Sequence, residues 1–143
     1  MILSDEQIGR LSPFARHVIH IQEEIISKSN LEEDRGSARN VRDPGVFGSI
    51  DFFLEYEARF ETFGDAVYRA AWILHALATR HPFQNGNKRT AFTVADTLLR
   101  VECGCKIGSL QREKAAFIIA VASYLHDVAD VESWIRENLE ETE

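Results

Sequence analysis

The sequence predicts an all-α fold, a compact domain of about six or seven helices, and three observations carry that prediction. Apolar residues recur at helical spacing in several separate segments, helix start and stop signals flank those segments, and no apolar/polar alternation of useful length occurs. With 143 residues, 45% of them hydrophobic and 27% charged, the chain is long enough to bury a core of its own, so residues 1–143 are read as one domain.

Ser12 and Pro13 read as an N-cap and a first helical position, and Phe14, Val18, Ile21 and Ile25 then fall on one face of a helix that runs to about Ser27. From Asn30 to Ser49 the pattern gives way to charge, glycines and Pro44, which predicts a loop with a short extended piece near Val46 and Phe47. Apolar residues return in "IDFFLEYEARF", a short helix. After Gly64, Asp65 caps a strongly periodic helix through Val67, Ala70, Ala71, Leu74, Leu77 and Ala78 that must end before Pro82. Asn87 is placed to cap the next, whose stripe is Ala91, Val94, Ala95, Leu98 and Leu99 and whose stop is Gly104. "SLQREKAAFIIAVASYLHD" is apolar nearly all round its middle, which suits a central helix, and "DVESWIRENLEE" makes a shorter terminal one.

Several functions are disfavoured. The longest apolar run, Ala115 to Ala122, is far shorter than the roughly 20 residues of a spanning helix, and the N-terminus lacks a basic region followed by an apolar run, so a cytoplasmic protein without a membrane segment is expected. A formal charge of -7 argues against a nucleic-acid binder that works through a broad basic surface. Cys103 and Cys105 are too close for an ordinary disulfide and read as reduced thiols at a helix end.

The chemistry concentrates in "HPFQNGNKRT", residues 81–90. Gly86 and Asn87 lie where a helix begins, so free backbone N–H groups, the positive end of the helix dipole, Lys88 and Arg89 converge on a place for an anion, with Arg80 nearby. His81 closes the preceding helix across the same short turn, with Pro82 fixing the backbone and Phe83 anchoring the loop in the core. A histidine beside a phosphate site is a candidate general base for a hydroxyl that attacks phosphorus.

Taken together, His81, Pro82, Phe83, Gln84, Asn85, Gly86, Asn87, Lys88 and Arg89 resemble the signature of the Fic/Doc family, His-Pro-Phe-x-Asp/Glu-Gly-Asn-Gly/Lys-Arg. From about Arg42 onward the chain looks like the Doc (death-on-curing) branch, with "RDPG" before the first core helix and "NKRTAF" after the histidine; the first forty residues fit less definitely. The resemblance implies a toxin-type transferase that uses ATP and Mg²⁺, a protein substrate such as a translation factor, and an antitoxin partner. It implies His81 as the base, Lys88 and Arg89 as stabilisers of charge at phosphorus, and Gly86, Asn87, Lys88 and Arg89 as holders of the nucleotide phosphates. It also implies a small β-hairpin flap that holds the target chain as an added strand, here within Val41 to Ile50.

Two positions depart from the adenylylating branch. Asn85 stands where an acid binds Mg²⁺ and offers the metal only a carbonyl oxygen. Lys88 stands where those members carry glycine and where Doc-like members also carry lysine, and this resemblance favours transfer of the terminal phosphoryl group over transfer of AMP. AMP transfer and a catalytically silent binding module are the alternatives. Ser133 to Asn138 matches a self-inhibitory Ser/Thr-x-x-x-Glu-Gly/Asn motif in which Glu137 would pair with Arg89. His17 and His20, followed by Glu23 and Glu24, could face one another as metal ligands but read better as a solvated face; His75 reads as a partly buried residue near the site.

Overall fold

The core is built round one alanine-rich helix. In the computed structural model, which describes residues 1–60 and 65–142, the helices are α1 (Asp5–Gly9), α2 (Pro13–Ser27), α3 (Gly45–Phe60), α4 (Ala66–Arg80), α5 (Asn87–Cys103), α6 (Gln111–Ala122) and α7 (Val128–Glu137). Helix α4 buries Ala70, Ala71, Ile73, Leu74, Ala76, Leu77 and Ala78, and it packs against α3, α5, α6 and α7. Small side chains let four neighbours approach it closely, and the buried apolar residues form one continuous cluster.

The central helix is therefore α4 and not, as the apolar middle of residues 109–127 suggests, α6. Only Ile118 and Val121 of α6 are buried, while Ile119 lies 54% exposed. Apolar residues all round a helix need neighbours all round it, and α6, with α4 and α5 on one flank, lacks them.

The starts are set by local chemistry. The Ser12 hydroxyl accepts from Ala15 N–H with Pro13 in the first turn, and Asp65 accepts from Tyr68 N–H. Asp127 and Asp130 cap α7 reciprocally, and Ser4 and Gln7 do the same for the unexpected helix α1. Gly64, read as the break before Asp65, lies outside the described residues.

Helix α3 begins at Gly45, earlier than the sequence suggests, because the Asp43 side chain accepts from Gly45 N–H at 3.1 Å and the Phe47 N–H reaches back to the Pro44 carbonyl. Val46, Phe47, Ile50 and Phe53 then share its buried side. The hairpin expected in Val41 to Ile50 is accordingly replaced by helix over its second half; the extended part is confined to two isolated bridges, Ile2 to Asn40 and Val41 to Phe83. A small antiparallel sheet does exist, but elsewhere: β1 (Cys105–Ile107) pairs with β2 (Leu139–Glu141) in the register Cys105–Glu141, Lys106–Glu140, Ile107–Leu139. Gly104, left-handed at φ 65°, turns the chain out of α5 into β1.

Candidate active site

The turn from α4 to α5 is shaped from both sides. His81 ends α4 in the left-handed region, φ 49° and ψ 63°, with its side chain exposed. A residue with a Cβ adopts that conformation at a cost of order 1 kcal/mol, so the turn must be held by what surrounds it. Phe83 is completely buried and lies tilted against Phe47, ring centroids 5.9 Å apart. The Asn87 side chain accepts from Phe83 N–H and donates to the Phe83 carbonyl. Outside the turn, the Pro82 carbonyl accepts from the N–H groups of Arg42 and Asp43, and Gln84 N–H donates to the Asn40 carbonyl.

Helix α5 is left open at its start. Gly86, not Asn87, is its N-cap, at φ 82°, and no side chain caps it. A Cβ on Gly86 would stand 3.3 Å from Ile26 Cδ1, so both conformation and space call for glycine. The first bond, Thr90 N–H to the Gly86 carbonyl at 2.8 Å, leaves the N–H groups of Asn87, Lys88 and Arg89 without intrahelical acceptors. Lys88 is exposed and has no carboxylate partner among the described residues. Donors, helix dipole and ammonium thus meet at one place suited to an anion.

Arg89 carries a partner that sequence reasoning missed. Its Nη2 donates to Asp34 Oδ1 at 2.9 Å and its Nη1 lies 2.8 Å from Asp34 Oδ2, while the Ser29 hydroxyl donates to Oδ2 at 2.5 Å. Asp34 is 2% exposed. The hydrogen bond from Arg89 holds its carboxyl below the usual carboxylate range, against the opposing effect of burial. The only sequence signal was "EEDR" in a charged loop, with nothing to single out the third acid.

The Asn85 Nδ2 donates to the Glu33 carbonyl at 2.5 Å and to Ser37 Oγ at 2.9 Å. Its nitrogen therefore ties down the loop that carries Asp34, and a carbonyl oxygen is all that remains for a cation. Mg²⁺ is ordinarily held by one or two carboxylates together with substrate phosphates. Asn85 supplies none, the Asp34 carboxylate is already engaged, and among the described residues no group of three or more His, Cys, Asp or Glu is arranged to hold a metal. The side chains here do not fit a Mg²⁺ held by the protein itself.

Other candidate residues lie apart. Arg80 turns to Asp43 (3.4 Å) and Ser49 (3.0 Å), at the start of α3. Glu137 is exposed at the end of α7, and the carboxylate on Arg89 is Asp34 rather than Glu137. His20 pairs with Glu24 at 3.3 Å and His17 is exposed, as expected of a solvated face. His75 is half-buried one turn and a half before His81 on α4, and His126 stacks on Phe117. Cys103 and Cys105 are free thiols.

Next to the anion place lies a cavity of about 260 Å³ between α5 and α6, lined by Lys88, Arg89, Phe92, Lys114 and Ile118 among others. Lys114 Nζ sits 5.1 Å from the centre of the Phe92 ring. The cavity has an apolar floor and a cationic rim.

The class defined by fold and site is a helical domain with a histidine across a tight turn from an uncapped, cation-flanked helix start suited to an anion. The Fic/DOC family matches residues 11–99, and the chain belongs to that family; its members are nucleotide-dependent transferases that modify proteins. Curated proteins yield no significant match. Among solved structures, the chain is similar to the BepC protein of Bartonella tribocorum, a VirB-translocated effector protein crystallised with bound AMPPNP. The two are 16% identical with a TM-score of 0.48, over 69% of this chain and 49% of that one. This chain thus spans about half the length of that protein.

Proposed function

We propose that this chain transfers the terminal phosphoryl group of ATP to a hydroxyl of a target protein. The observation that carries the reading is the order of groups along the motif. Along the chain, His81 comes first, the open N–H groups of the α5 start follow, and Lys88 and Arg89 then line the apolar, cation-rimmed cavity. A purine in the cavity would send its phosphate chain over Lys88 and Arg89, with the last phosphate toward His81.

In that reading the imidazole of His81 takes the proton from the target hydroxyl, whose oxygen forms a bond to the terminal phosphorus. The bond from that phosphorus to the bridging oxygen breaks, and ADP leaves. Charge on the transferring group is met by the N–H groups of Asn87, Lys88 and Arg89, fixed in the helix start before reaction, and by the Lys88 ammonium. The Asn87 side chain is engaged with Phe83, so Asn87 would hold phosphate through its backbone N–H.

The family resemblance supports a protein substrate and a separate partner that restrains the activity. ATP as donor and free thiols at Cys103 and Cys105 favour the cytoplasm; no described helix is long and apolar enough to cross a membrane.

The test is incubation with γ-labelled and with α-labelled ATP in a cell lysate, for the wild type and for His81→Ala. Label should reach protein from the γ position alone and vanish in His81→Ala. Label from the α position would establish AMP transfer instead. Absence of any transfer together with retained nucleotide binding would identify a silent binding module.

A further inference from the structure

We propose that Asp34 is the positioning residue for Arg89, so that a loop outside the motif completes the phosphate cradle; the proposal rests on the nucleotide-transferase reading. An arginine on the first turn of a helix has a long, freely rotating side chain, and a free one would sample many directions. Here the guanidinium end is held through both terminal nitrogens by one carboxylate. That carboxylate is itself fixed, 2% exposed and bonded to Ser29.

The pairing does not use up the arginine. A guanidinium has five N–H donors, and an end-on pair takes one from each terminal nitrogen, which leaves the Nε–H and two others. The Arg89 side chain remains 43% exposed although its partner is sealed. Asp34 therefore fixes the guanidinium plane and leaves donors open to an incoming phosphate, the geometry in which arginine binds phosphate with two parallel bonds.

The loop that carries Asp34 is anchored independently of Arg89. Buried Gln22 of α2 donates to the carbonyls of Ser37 (2.9 Å) and Asn85 (3.2 Å) and accepts from Arg39 N–H (2.9 Å), and Asn85 donates to Glu33 and Ser37. Loop and motif turn are thus locked together at two further points, so the Asp34 carboxylate is a fixed reference for the arginine.

Charge alone predicts the opposite effect. Asp34 cancels one of the two motif cations, so by Coulomb attraction its removal should strengthen anion binding. Orientation predicts that removal weakens it. The sign of the change decides between them.

The experiment is calorimetric titration of AMPPNP into the full chain as wild type, Asp34→Asn, Asp34→Ala, Arg89→Ala and the double variant Asp34→Asn/Arg89→Ala, each checked for folding by thermal melt. The expected result is about tenfold or greater loss of affinity for Asp34→Asn when Arg89 is present, and less than twofold when Arg89 is absent. Asp34→Asn is nearly isosteric and carries the test if Asp34→Ala does not fold. Equal or tighter binding by Asp34→Asn would overturn the proposal, tighter binding marking Asp34 as a competitor of the phosphate. An equal loss in the Arg89→Ala background would also overturn it, since that is what a purely structural loop residue would give. A wild type that binds no AMPPNP would remove the transferase reading itself and this proposal with it, an outcome distinct from wild-type binding that the variants share.

Discussion

Asn87 closes a ring on the backbone of Phe83: its Oδ1 accepts from the Phe83 N–H at 2.8 Å, and its Nδ2 donates to the Phe83 carbonyl at 2.7 Å. One side chain thereby satisfies both polar groups of a completely buried residue. Asn87→Asp keeps the acceptor and turns the donor into a second oxygen facing the Phe83 carbonyl. The expected loss is about 1–3 kcal/mol, read as a drop of several degrees in Tm, together with weaker AMPPNP binding because a negative charge now sits at the anion place.

Gly86→Ala tests the left-handed entry to α5. The new methyl meets a backbone at φ 82° and the Ile26 side chain at 3.3 Å. A non-glycine residue in that region costs about 1–2 kcal/mol, so the urea midpoint should fall while the slope of the transition stays unchanged.

Asn85→Asp restores the acid of the adenylylating branch, and on that ground alone it should favour metal binding. The structure predicts a loss of stability instead. The Glu33 carbonyl and Ser37 hydroxyl both receive from Asn85 Nδ2, and an ionised aspartate has no hydrogen to give either. A decrease of about 1–3 kcal/mol is expected, with faster hydrogen exchange at residues 33–37; an unchanged melt would contradict it.

Asp34 makes stability depend on pH in a definite direction. Its folded-state pKa lies below the ordinary value, chiefly through the hydrogen bond from Arg89. A depressed carboxylate pKa contributes stability that is fully present above the unfolded-state value, about 3.9, and is lost as pH falls through the lower folded-state value. Wild type and Asp34→Asn should therefore differ by a constant amount from pH 7 down to about 5, and the gap should narrow under more acid conditions. Urea denaturation across that range measures it.

Much of the scaffold was legible because it is written in nearest-neighbour chemistry. Ser12 with Pro13, Asp65, and the apolar stripes of α2, α4 and α5 act within a few residues of themselves. The motif turn was legible as an ordered run of residue types. What escaped was chemistry across long separations: Asp34 meets Arg89 from 55 positions away, and Asn85 reaches Glu33 across 52. Nothing local distinguishes Asp34 from Glu32 and Glu33. The centrality of α4 over α6 was hidden for a related reason, since which helix has neighbours on all sides is decided by packing between distant segments: α4 meets α3, α5, α6 and α7. The β1–β2 pair joins segments too short to show a period of two.

The bonds that Pro82, Gln84 and Asn85 make to Arg42, Asp43, Asn40, Glu33 and Gln22 limit how far the motif can be transplanted. A peptide spanning α4 and α5 would contain every motif residue and yet lack each of those partners, so it would carry the letters of the signature without its shape. Grafting the ten residues onto another helical hairpin should give a flexible loop that binds no nucleotide. The unit that can be moved between proteins begins at α2, well before the first residue of the motif itself.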